Sequence, residues 1–251
     1  MTIKSANLNG VATIEIARPE KKNAITGAMY LQMAAALDAA RLDAAVRAVL
    51  ITGQPGIFTS GNDIEDFMQR PPGEPPAVVF MRALMGCDKP VIAAVTGAAI
   101  GIGTTLLLHC DFVFVSDEAR LAMPFVSLGL VPEFASSLIV PQLMGNVRAA
   151  EKLLLGEPFS GADAVECGIA NAVLPANEVV PHARRIAERF NALPPGAVRD
   201  TKALMRRARD KLALETIAVE GELFATRLRS PEAQEAFGAF FQKRKPDFSK
   251  F

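Results

Sequence analysis

The chain has 251 residues, half of them hydrophobic, with 27 basic against 27 acidic side chains. This suits one large domain, or one with an appendage, and the balanced charge gives no global field for nucleic acid or an anionic membrane, so neither is an expected partner. Three scattered cysteines and two histidines leave no disulfide framework, metal spacing or Ser-His-Asp set, and neither a signal peptide nor a bilayer-spanning run is evident, so a reducing cytoplasm is the expected location.

In chain order, Asn7-Leu8-Asn9-Gly10 reads as a hairpin turn before an alternating strand, Val11 to Ile16. The basic loop Arg18 to Ala24 follows: a solvated loop, or a phosphate contact. Gly27 to Ala45 has the period of an amphipathic helix, and Val46 to Gly53 that of a buried strand. Phe58 to Ile64 lies at the carboxyl end of that strand, where open α/β folds gather ligands. Gly61 lets a ligand approach closely there, while Asn62 and Asp63 could also cap a helix starting near Ile64. Pro71 to Pro76 reads as a loop, and Val78 to Met85 as a helix whose methionines suit the core first, though they would adapt to a floppy apolar ligand.

Pro90 to Val95 is a buried strand, followed by Gly97, Gly101 and Gly103 and an apolar run from Thr104 to His109 of about two helical turns. Strand, glycine turn and helix start place free N–H groups at one spot, suited to an oxygen that becomes an anion. Glu133 then stands alone among apolar neighbours, where a carboxylate is costly unless it has a task. Asn146 and Ser160 are helix caps, and Ile169 to Leu174 is a strand. The tail from Val179 is helical, broken at Pro194-Pro195 and restarted at Ser230-Pro231. Its phenylalanines, Phe224, Phe237, Phe240 and Phe241, suit packing against the body or other subunits. His109, Asp111, Thr104, Thr105 and Tyr30 read as structural.

KKNAI at 21–25, FTSGNDI at 58–64, KPVIAAVTGAAIGIG at 89–103, CDFVFVSDEA at 110–119, LGLVPE at 128–133 and FFQKRKPDF at 240–248 together resemble the crotonase (enoyl-CoA hydratase/isomerase) superfamily. The resemblance implies an α/β spiral of ββα units over residues 1–193 and a helical oligomerisation region over 194–251, in a homotrimer or a dimer of trimers. It implies an acyl-CoA thioester substrate, with coenzyme A part of that substrate and no further cofactor or metal. The thioester oxygen would be held by the N–H groups of Asn62 and Ile102. Ser60, Gly61, Asn62, Asp63 and Ile64 would line the CoA channel, with Ala24 and Ile64 near the adenine. Lys21 or Lys22, with Lys243 and Phe240 from a neighbouring subunit, would reach the phosphates; Gly101 and Phe125 would also contact substrate.

The two glutamates of the family's hydratases fall here on Thr105 and Phe125, neither of which is a carboxylate. Glu133 matches the single catalytic glutamate of peroxisomal-type Δ3,Δ2-enoyl-CoA isomerases, so isomerisation is the expected activity. A hydratase, thioester hydrolase, dehalogenase or non-catalytic CoA-ester binder are the alternatives. The glycine run is no dinucleotide fingerprint, because its spacing is G-x-x-x-G-x-G.

Overall fold

The structure, a computed structural model, describes residues 2–68 and 73–251. Asn9 and Gly10 both take positive φ, 50° and 72°, and join β1 (Ile3–Leu8) to β2 (Val11–Ile16) as the expected antiparallel hairpin. The chain then winds as a spiral through two sheets. β3 (Ala48–Thr52), β5 (Val91–Val95), β7 (Phe112–Ser116) and β10 (Ala172–Leu174) extend the first sheet in the order β1-β2-β3-β5-β7-β10. β4 (Ile57–Thr59), β6 (Ala98–Ile100), β8 (Arg120–Ala122) and β9 (Phe159–Ser160) form the second, β4-β6-β8-β9. From β3 to β8 successive strands alternate between the sheets, with helices between the pairs, which is the ββα spiral expected from the resemblance.

Period two divides the core. Val49, Ile51, Ala93 and Val95 enter the main core with Met29, Met33 and Leu37 of α1 (Gly27–Leu42). Ala48, Leu50, Ile92 and Ala94 face the other way, against Val179, Ala183 and Ala187 of α8 (Ala176–Glu188). A sheet covered on both faces requires apolar residues at every position, as β3 and β5 have.

Several elements differ from the expectation. The run after Gly97 is not one turn into a helix, because β6 intervenes between β5 and α4 (Ile102–Thr105), and Leu106–His109 continues as a 3-10 turn. Gly97 has φ 70°, and a Cβ there would lie 1.9 Å from Gly56 O, so this crossing between sheets admits only glycine. Pro76 opens α3 (Pro76–Met85), at the helix start where a missing N–H costs nothing; Pro71 and Pro72 lie outside the described residues. Asn146 is the first residue of α6 (Asn146–Leu154) and makes no side-chain cap. α5 (Ser136–Met144) was not anticipated. Ser160 does cap α7 (Gly161–Glu166), in a capping box with Asp163. Ser230 caps α10 (Pro231–Phe241) through Ala233 N–H.

α9 (Pro195–Arg227) runs back across the body of its own chain. Its Lys202 and Arg206, both buried, donate to the two carboxylate oxygens of Asp111, each at 2.7 Å. Asp111 also accepts Val91 N–H at 2.8 Å. Asp111→Asn leaves two buried cations without a counter-charge, at an expected cost of about 3 kcal/mol. Urea unfolding checks this; an unchanged midpoint would contradict it. Among the described residues no helix is long and apolar enough to cross a membrane.

Candidate active site

The parallel pairing of β4 with β6 sets the site, because both strands end at one place. Gly61 follows β4 at φ 92°, and a Cβ on it would lie 2.9 Å from Ile100 O, so the two strand ends are in backbone contact. Asn62 forms an isolated parallel bridge with Ile25: Ile25 N–H donates to Gly61 O, and Asp63 N–H to Ile25 O. The Asn62 N–H therefore faces away from Ile25, toward the β6 side. On that side Gly101 takes φ 58° and starts α4, whose first N–H, that of Ile102, has no partner within the helix. The two expected oxyanion donors thus emerge from neighbouring chain ends.

Residues 22–25 are laced along the outside of this turn. Buried Asn23 donates to Ile57 O and Phe58 O, both at 3.1 Å, while Asn23 O accepts Thr59 Oγ1 at 2.7 Å and Lys22 O accepts Ser60 N–H at 3.1 Å. Lys22 is exposed on this rim, with Ala24, Ser60 and Ile64 half-buried. Asp63 is less available than expected. Its Oδ2 accepts Arg18 Nη1 at 2.6 Å and its Oδ1 caps α2 (Ile64–Met68) through Asp66 N–H at 3.1 Å. Despite desolvation, the Arg18 hydrogen bond holds its carboxyl below the usual range.

Inside lies a cavity of about 530 Å³ between α3 and α9, walled by Val78, Met81, Phe134, Ile217 and Phe224. Asn62, Glu133 and Glu220 are polar residues of the wall. Met81, whose residue type suits the core first and an apolar ligand second, is buried and also lines the cavity. Glu133 is half-buried, and Thr105 Oγ1 donates to its Oε1 at 2.5 Å. Burial pushes the Glu133 carboxyl up to about 8, the Thr105 bond opposes this, and the charge of Glu220 adds to it. Thr105, read as structural, is thus the partner of the only carboxylate in this wall with an open oxygen among the described residues. Thr105→Val removes a bond to the ionised form, so the Glu133 ionisation is expected to move above about 8; titration of the carboxyl by infrared spectroscopy checks it, and a downward shift would contradict it.

The sequence reading also missed Tyr30. Its hydroxyl donates to Asn62 Oδ1 at 2.6 Å, tying α1 to the Asn62 turn. Burial first, then the charges of Glu133 and Asp66, raise its phenol well above the usual value, so it stays a donor. Thr104 bonds Ala99 O and Ala122 O as expected of a structural threonine, and His109 is packed, stacked on Phe134 at 3.8 Å. One expected contact is not brought to the cavity: Phe125 is buried in the main core. Phe240 and Lys243, expected to act from a neighbouring subunit, are exposed at and just beyond the end of α10.

A family model described as enoyl-CoA hydratase/isomerase matches residues 6–250. Enoyl-CoA delta isomerase 2 of Homo sapiens is 37% identical over 221 residues, covering 84% of this chain and 56% of the human protein, so the chain spans about half the length of that relative. A probable enoyl-CoA hydratase of Bacillus subtilis is 29% identical over 245 residues, covering 95% of each chain. The solved structure of Pseudomonas aeruginosa OdaA superposes with a TM-score of 0.93 at 54% identity, covering 95% of this chain and 98% of that one. A match over nearly the whole length, on the spiral that the two sheets display, places the chain in the enoyl-CoA hydratase/isomerase family, the crotonase enzymes that act on acyl-CoA thioesters.

Proposed function

We propose that the protein is a Δ3,Δ2-enoyl-CoA isomerase. The observation that carries this reading is the carboxylate inventory of the cavity wall. Glu133 has one oxygen on Thr105 and, among the described residues, no donor on the other. Both oxygens of Glu220 are taken by Ala135 N–H, Ser137 N–H and Ser137 Oγ. The positions of the two hydratase glutamates carry Thr105 and Phe125. One free base suits proton transfer; two would be needed to hold and activate water.

In the reaction, ionised Glu133 removes a proton from C2 of a 3-enoyl-CoA. The electron pair moves onto the thioester oxygen, giving a dienolate that accepts hydrogen bonds from Asn62 and Ile102 N–H. The protonated Glu133 then returns the proton at C4, leaving the double bond between C2 and C3. The apolar walls keep water from quenching the dienolate. Coenzyme A arrives as part of the substrate, along the rim of Lys22, Ala24 and residues 60–64, and no cofactor takes part. Exposed apolar residues on α9 and α10, among them Leu204, Met205, Phe240 and Phe241, support a homotrimer or a dimer of trimers, in which Phe240 and Lys243 reach a neighbour's CoA site.

The test is conversion of trans-3-hexenoyl-CoA to the conjugated thioester, with hydration of crotonyl-CoA as the counter-assay. The expected result is isomerisation with little hydration. Hydration dominating, or no turnover of a bound CoA ester, would overturn the reading.

A further inference from the structure

Helix α5 begins at Ser136, and the residue before it, Ala135, has no side-chain oxygen with which to cap it. The cap comes instead from α9. Buried Glu220 accepts Ala135 N–H at 2.6 Å, Ser137 N–H at 3.0 Å and Ser137 Oγ at 2.5 Å. Between Glu133 and this cap the chain makes a turn that side chains rarely adopt: Phe134 and Ala135 both lie in the left-handed region, at φ 59° and 56°. Such residues are strained and persist only where the surroundings hold them. Here Phe134 is held by His109, through its ring and through Nε2 donating to Phe134 O at 2.8 Å, and Ala135 by Glu220.

Position 135 offers no side-chain cap of its own to α5. The chain instead buries a second carboxylate in the wall that holds Glu133. We infer that Glu220 is a positioning residue for Glu133: it fixes the Phe134-Ala135 turn that presents the Glu133 carboxyl to the cavity, and, where ionised, it sets a second negative charge in the same wall. The inference rests on Glu133 being the catalytic base. Burial raises the Glu220 carboxyl above its usual range, while its three donors, against the single donor on Glu133, oppose this and favour its ionised form.

Among the described residues, the other groups around Glu133 do not make it a stronger base. The Thr105 hydroxyl on α4 makes it a weaker one, and the Tyr30 phenol on α1 stays neutral. Burial holds the His109 imidazole down at about 3, also neutral. Arg229, past the end of α9, lines the same cavity but is exposed, where solvent screens it.

The test is Glu220→Gln, with the Glu133 carboxyl titrated by infrared difference against the same protein carrying Glu133→Gln. The expected result is a Glu133 midpoint about half a unit or more below the wild-type value. Isomerisation at pH above the midpoint is expected to fall about tenfold with KM little changed. A midpoint left in place while the protein loses stability would reduce Glu220 to a helix cap and overturn the inference. The titration needs no turnover, so a protein that fails to isomerise would sink the proposed function and still report on Glu220. Should Glu220→Gln not fold, Ser137→Ala takes its place, losing one bond and keeping the charge. It is expected to lower the rate several-fold at unchanged KM, and a wild-type rate would overturn the inference.

Discussion

Glu133→Gln is expected to lower the turnover of 3-enoyl-CoA about 10⁴-fold, the upper end of the range for losing a positioned acid–base group. The upper end applies because one carboxyl performs both proton transfers and no neighbour can substitute. Glu220 has both oxygens engaged, and Tyr30 donates to Asn62 with a phenol held well above its usual value. The amide keeps the volume of the carboxyl, and its oxygen still accepts Thr105 Oγ1, so the wall should not rearrange. Affinity for a 2-enoyl-CoA product, measured by calorimetry, is therefore expected to stay within about threefold of wild type. Lost binding with lost turnover would assign Glu133 a structural role instead.

The second large effect is on pH. With the Glu133 carboxyl at about 8 in the unliganded protein, kcat/KM is expected to rise on the order of 500-fold between pH 5 and pH 8 and then level off. A limb near pH 4.5 would mean that the site is wetter than its apolar walls indicate. Stability should move the opposite way. A carboxyl that ionises near 4.5 in the unfolded chain and near 8 in the folded one binds a proton on folding between these values. Its contribution is fully present below about pH 4.5 and is lost as pH rises through about 8. Glu133→Gln cannot ionise, so its melting temperature is expected to exceed wild type by a few degrees at pH 9 and to match it near pH 4. Equal melting curves at pH 9 would contradict the burial of this group.

What was legible in the sequence was local. The NG turn, the cap at Ser160 and the buried strands β3 and β5 are written in neighbouring residues. The family motifs supplied the order of the spiral. β6 was not legible because three residues, Ala98-Ala99-Ile100, between glycines show no period, and it becomes a strand only by pairing with β4 and β8. α5 was hidden by Pro141 in its interior and by a cap that comes from 85 residues away. Glu133 stood out as a lone acid among apolar residues. Its environment did not, because Thr105, Tyr30 and Glu220 meet it only through tertiary packing. Tyr30 sits on an ordinary amphipathic helix, and nothing in that period distinguishes a hydroxyl aimed at Asn62 from one left in solvent.

The central claim is that one carboxyl carries a proton from C2 to C4 inside a cavity sheltered from water. A single turnover of 3-hexenoyl-CoA deuterated at C2, with the product analysed by mass spectrometry and deuterium NMR, addresses it most directly. The account expects a substantial part of the label at C4 of the 2-enoyl product. Product carrying only solvent hydrogen at C4, or a hydroxyl at C3, would contradict it.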